Sequence, residues 1–104
     1  MAQFDVFINP NPVTKRAIPY LLDIQTDLLN SLTTRVVIPL YTVSAMGKAA
    51  KHLNIQFSIK RTTVIMSTAE LAGVTVNSLG EKVCSLNEHR NEIIAAIDFL
   101  VTGF

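Results

Sequence analysis

One cysteine and two histidines are the side chains here best suited to hold a transition metal or attack a bond, and none is spaced for it. Cys84 lies between Val83 and a helix-start signal, the setting of a small hydrophobe rather than of a reactive thiolate. A lone thiol cannot close an intrachain disulfide. His89 stands among Glu88, Arg90 and Glu92 on what reads as a wet helix face, and His52 follows Lys51 in a loop. No cluster of Cys and His offers the four ligands of a zinc site. These residue types imply no metal, no cofactor and no catalytic residue.

The chemistry that the sequence does offer is that of a surface. Residues 96–104, "AIDFLVTGF", carry a single charge, Asp98, and close on Phe104, whereas chain ends are ordinarily polar and frayed. An apolar end of this kind asks for something to cover it.

Composition sets the frame around that tail. The 104 residues are 49% apolar and 16% charged, too hydrophobic for disorder and too interrupted for a membrane span of about 20 apolar residues. One domain over residues 1–104, with a core of its own, is the expectation. The apolar surplus suggests a subunit interface. Nine Lys and Arg against eight Asp and Glu give a formal charge of +1, without the basic stripe of a duplex-binding surface. "MAQFDVFINPNP" has neither a basic n-region nor a long apolar h-region, so no signal peptide is expected and the simplest location is cytoplasmic.

The elements that must position the tail follow from periodicity. "FDVFI" alternates and is broken by "NPNP", a strand running into a turn. "IPYLLDIQTDLL" (Ile18–Leu29) and the β-branched "RVVIPL" (Arg35–Leu40) read as two further strands of the same sheet. "SAMGKAAKHL" is a polar connection with room for a short turn of helix. "NIQFSI" alternates again, and "KRTT" turns it into "TVIMS", which is a hairpin signal. "STAE" (Ser67–Glu70) has the form of a capping box and leads to the strand "VTV".

The last segment changes period. "SLNE" (Ser85–Glu88) sets a hydroxyl to cap the amide three residues on, just before a run free of Gly and Pro, and predicts a helix start. Leu86, Ile93, Ile97, Leu100 and Phe104 fall on one stripe, while Asn87, Glu88, Asn91 and Glu92 keep the opposite side wet. From Ile93 onward the wet side disappears, because Ile94, Ala95, Ala96, Phe99 and Val101 carry apolar surface around the cylinder. Gly103 stands where a left-handed C-terminal cap is wanted. The helix end is expected to touch another chain.

Several dispersed stretches also carry a family resemblance: "DIQTDLLN", "RVVIPL", "VTVNSLGEKV", "LNEHRNEI" and "AIDFLVTGF". In order and spacing, from Gln3 to Phe104, the chain resembles the CcdB family, toxins of type II toxin-antitoxin modules that poison bacterial DNA gyrase. The resemblance implies a mainly β fold with a C-terminal α-helix, a small SH3-like antiparallel β-barrel, and a two-fold homodimer. It implies binding to the gyrase A subunit, with the gyrase-cleaved DNA complex trapped and topoisomerase activity inhibited. The positions that would touch gyrase correspond here to Thr26, Leu28, Leu29, Asp98, Thr102, Gly103 and Phe104. Best-known members end in Trp-Gly-Ile, where this chain has Thr102-Gly103-Phe104, and their helix asparagine is here Asp98. A tryptophan face over a guanidinium is worth roughly 0.5–2 kcal/mol, which Thr102 cannot supply.

The resemblance also implies a CcdA-like antitoxin whose disordered C-terminal segment folds on the toxin, the pair together repressing their operon, so that DNA is met only through antitoxin or gyrase. The loops Asn9–Arg16 and Tyr41–Lys51 and the helix end are the expected contacts. A second function class comes from the related MazF and Kid toxins, which are endoribonucleases. RNA cleavage needs a general acid, a base and a cation near the phosphate. Arg35, Asp27 and His52 are candidates that no spacing ties together. A non-toxic protein-binding module of the same fold is the third reading.

Overall fold

Alternating apolar residues and well-placed turn formers give a chain of short antiparallel strands in the computed structural model, which describes residues 1–47 and 54–103. The far part of the "SAMGKAAKHL" connection, with His52, and the terminal Phe104 lie outside the described residues. Strand β1 (Asp5–Ile8) leads into a loop organised by buried Asn9, whose side-chain amide donates to the Ile18 carbonyl at 2.8 Å and to Thr14 Oγ1 at 3.0 Å. Strand β2 (Tyr20–Asp23) is much shorter than the strand expected over 18–29. It stops at Asp23 because that carboxylate is spent inside the molecule, and Thr26 then caps a 3-10 turn, Asp27–Leu29.

Strand β3 (Thr34–Thr42) is the longest and forms the spine of the sheet. One edge pairs with β2; the other edge serves two partners in succession. Residues 34–37 pair with β6 (Ala72–Thr75), and residues 40–42 pair with β5 (Thr62–Met66). Pro39 falls in the gap between them. It has no amide to donate, and its carbonyl accepts from Ser67 at 3.0 Å, so a proline tolerated only where no ladder bond is needed fits mid-strand here. After β3, Thr42 caps the one-turn helix α1 (Val43–Met46), the short helix expected in that connection.

Strand β4 (Gln56–Ile59) and β5 form the expected hairpin. Lys60 and Arg61 fill its two-residue turn with φ of 48° and 67°, both left-handed, the twist that hairpins favour. The "STAE" segment is a 3-10 turn without a side-chain cap, and the strand expected at "VTV" ends at Thr75. Strand β7 (Lys82–Ser85) pairs with β1 and was not evident from periodicity. A tight approach positions it. Gly80 donates to the Ile8 carbonyl at 2.8 Å, and a Cβ there would lie 2.6 Å from that oxygen, which only glycine avoids.

The strand order is β4-β5-β3-β2-β1-β7, with β6 beside β3. The sheet curls into a half-barrel, and its two ends meet through side chains: Phe57 of β4 packs edge-on to His89, just beyond β7, with ring centroids 5.1 Å apart. Val6, Leu22, Ile38, Leu40, Val64 and Met66 fill the concave face. The C-terminal helix α2 (Arg90–Thr102) covers it with Ile93 and Ala96, both buried, while Ile94 and Ile97 are partly buried beside the core. Leu100 is only half-buried, so the buried stripe turns toward Ala96 relative to the expected one. A methyl group permits the closer approach to the sheet.

The helix start differs from the capping box expected at Ser85–Glu88. Ser85 ends β7, its hydroxyl accepts the Asn87 amide two residues on at 3.2 Å, and a 3-10 turn (Asn87–His89) precedes the first α-helical residue, Arg90. Leu86 must reach the core, where it is buried, and its amide donates to Phe4; that tether delays the helix by one turn.

Candidate functional site

Two exposed patches carry the residues singled out in the sequence. The first is the turn after β2. Thr26 accepts the Leu28 amide on Oγ1 at 3.4 Å and the Leu29 amide on its carbonyl at 3.0 Å, which closes one 3-10 turn. None of the turn residues is buried; Leu28 is 91% exposed and Leu29 45%. Leucine at that exposure gains nothing from the fold, and the hydrophobic effect favours its burial against a partner. Asp27 is turned to internal use, accepting the Gln3 amide at 2.8 Å.

Beneath this turn lies a polar cluster that periodicity did not announce. Arg35, at 1% exposure, places Nε 2.9 Å and a terminal nitrogen 2.6 Å from Asp23 Oδ2. The other carboxylate oxygen accepts the Gln25 amide at 3.0 Å. Arg35 also donates to Asn30 Oδ1 at 2.6 Å and to the Gln25 carbonyl at 3.4 Å. The Gln25 side chain accepts the Val36 amide and donates to the Leu29 carbonyl, both at 3.0 Å. Burial raises the Asp23 carboxyl above its ordinary value, against the opposing hydrogen bonds from Arg35 and Gln25. Opposite charges standing alone within the apolar runs "YLLDI" and "RVVIPL" were the available signal.

The second patch is the end of α2. Gly103 takes the left-handed conformation expected of it (φ 80°, ψ 16°), and its amide donates to the Phe99 carbonyl at 2.9 Å. Thr102 donates its hydroxyl to the Asp98 carbonyl at 2.7 Å. Asp98, Val101, Thr102 and Gly103 are exposed, Val101 at 74%. The Asp98 carboxylate has no ion pair among the described residues, and no basic residue lies in the last turn. A carboxylate there adds to the negative end of the helix dipole and leaves a tip suited to a cation. Among the described residues no hydrogen bond or ion pair joins this tip to the Thr26–Leu29 turn.

The residues considered for acid-base work are not assembled. Arg35 is buried and held by Asp23, Asp27 is engaged by Gln3, and His52 lies outside the described residues. His89 keeps a partly exposed ring that packs edge-on to Phe57 and lies 3.1 Å from Glu92 Oε1. Cys84 packs against the core, and burial pushes its thiol up despite the nearby Lys60 and Lys82 charges. A cleft of about 390 Å³ between Leu32, Thr33, Thr75, Val76 and Asn77 holds no titratable side chain. Among the described residues no group of three or more His, Cys, Asp and Glu could hold a metal ion, and no helix is long and apolar enough to cross a membrane.

Comparison with known proteins places this geometry. A family model described as CcdB protein matches residues 3–103. Among solved structures, the chain is similar to a mycobacterial endoribonuclease in complex with its cognate antitoxin, with a TM-score of 0.76 at 12% identity over 97% of this chain and 94% of that one. It is similar also to the Mycobacterium tuberculosis toxin MazF-mt6, with a TM-score of 0.73 at 15% identity over 92% of this chain and 94% of that one. At these identities the likeness is one of fold.

Proposed function

The chain belongs to the CcdB protein family, and on that premise we propose that it is the toxin of a type II toxin-antitoxin module that binds the DNA gyrase A subunit. It traps the complex of gyrase with cleaved DNA and transforms nothing itself. The observation that carries this reading is the exposed tip of α2, where Val101 stands beside Asp98, whose carboxylate makes no ion pair among the described residues. The Thr26–Leu29 turn is the second contact, with Leu28 its apolar anchor. The protein acts as a two-fold homodimer wedged in a two-fold target, so each contact occurs twice and the second forms at high effective concentration.

A cognate antitoxin neutralises it and co-represses the operon with it, in the cytoplasm. The exposed Val13 in the loop after β1 and Val43 on α1, at 87% and 48%, suit a disordered segment that folds on contact. The fold likeness to mycobacterial endoribonucleases favours a second reading, RNA cleavage, which the engagement of Arg35 and Asp27 opposes.

Expression of the chain alone in gyrase-wild-type and gyrase-resistant hosts separates the two. Growth arrest confined to the wild-type host is the expected result, with purified RNA left intact by the protein. Equal arrest in both hosts together with RNA cleavage would transfer the assignment to the endoribonuclease class.

A further inference from the structure

We propose that Arg35 is the positioning residue of the recognition turn, a buried guanidinium that fixes Thr26–Leu29 in binding shape before any partner arrives. The inference rests on the reading of that turn as a partner contact. No residue of the turn is buried, so packing does not set its conformation. Hydrogen bonds must: Thr26 closes the turn on itself and Gln3 holds Asp27, while the bonds at its two ends converge on Arg35. The guanidinium reaches the residue before the turn, through the Gln25 carbonyl at 3.4 Å, and the residue after it, through Asn30 Oδ1 at 2.6 Å. Gln25 relays the same constraint, taking the Val36 amide on one side-chain atom and giving the other to the Leu29 carbonyl.

Arg35 is itself buried and bonded to a carboxylate. It sits in β3 opposite Val74 of β6, and Asp23 holds its Nε and a terminal nitrogen on a single oxygen. A planar donor fork fixed this way imposes direction as well as distance, which a lysine ammonium would not. Preorganisation lowers the ordering cost that a floppy turn would bring to binding, and so raises affinity without any new contact. A buried ion pair is weak evidence for stability by itself. Here it also holds the shape of an exposed loop.

The test uses the full chain and spares Arg35, whose removal would threaten the fold. Asn30 is exposed and touches the cluster only at its rim. In Asn30→Ala, amide hydrogen exchange at Leu28 and Leu29 should rise about tenfold, the lower end of what a hydrogen bond to a charged group supplies. Exchange at Ile38 in β3 should rise by no more than the same factor, and the melting temperature should fall by no more than about 10 °C. Asn30→Asp, which keeps the acceptor oxygen, should restore protection. Affinity for the purified gyrase A subunit should fall about tenfold in Asn30→Ala and recover in Asn30→Asp, a rescue that general destabilisation would not give.

Unchanged exchange in Asn30→Ala would overturn the proposal. So would faster exchange with undiminished affinity. A wild-type chain that does not bind the gyrase A subunit would instead sink the functional reading, and the exchange measurement would then decide the role of Arg35 alone.

Discussion

Asp98 and Thr26 are the polar side chains of the two patches that a partner would meet first, and they differ in what their loss should do. Asp98 is exposed and makes no ion pair among the described residues, so Asp98→Ala breaks no ion pair among them and relieves repulsion with the helix C-terminus. Its melting temperature should hold or rise slightly. On the proposed function, the same change should weaken binding to the gyrase A subunit by about 2 kcal/mol or more if a cation of the target faces Asp98, since that cation would be left desolvated and unpaired. Thr26→Ala loses the Leu28 cap and should show a smaller loss of affinity with an intact fold. Equal affinity for wild type and both variants in a titration would place the contact surface elsewhere. At this scale the sequence was legible where a residue acts through its own neighbours: Gly103 as a left-handed cap and Cys84 as a core-packed thiol needed no knowledge of the sheet. The Arg35–Asp23 pair was not legible, since its partners lie 12 residues apart and meet only because β2 pairs with β3. Nor was the ring contact of His89 legible, since Phe57 comes from the opposite end of the sheet.

Elements show a similar division. The "NIQFSI" hairpin and the C-terminal helix could be read because alternation and helical spacing are local, whereas β7 has only four residues and owes its existence to pairing with β1. The strand expected over 18–29 ended at Asp23 because tertiary burial of a carboxylate outweighed propensity. For α2 the functional question is where anchoring stops. Ile93 and Ala96 are buried and Ile97 packs on the core, but Val101, Thr102 and Gly103 stand clear. Deleting Thr102–Phe104 should therefore cost the fold at most about 1–3 kcal/mol of a total of about 5–15. Growth inhibition should be lost, because interface energy concentrates in a few anchors. A loss of about 2 kcal/mol at each of two repeated contacts weakens binding on the order of a thousandfold if the losses add. A truncated chain that melts normally and still kills would refute the role of the tip, and one that fails to fold would show it to be core.

At the scale of the molecule, the proposed mechanism stands or falls with the homodimer. The chain exposes 6290 Å², against about 5,800 Å² for a monomeric protein of this mass. Among the described residues Val13, Leu28 and Val101 are all more than 70% exposed. A curled half-barrel leaves such a surface because α2 covers only the concave face, where Ile93 and Ala96 sit, while Val101, Thr102 and Gly103 at its end stand exposed. On the proposed function a second copy would pair through apolar surface other than the Asp98 tip and the Thr26–Leu29 turn, and two-fold symmetry would bring two copies of each of those contacts to one side of the assembly. We expect light scattering at micromolar concentration to give twice the 11.4 kDa chain mass, and the melting temperature to rise with protein concentration, as it must when folding and association are linked. The two measurements are coupled: a dimer that melted independently of concentration would mean that the protomers are stable alone and that the apolar surplus has another use. A persistent monomer would go further and remove the wedge itself, since one Asp98 tip and one Thr26–Leu29 turn cannot engage both halves of a two-fold target at once.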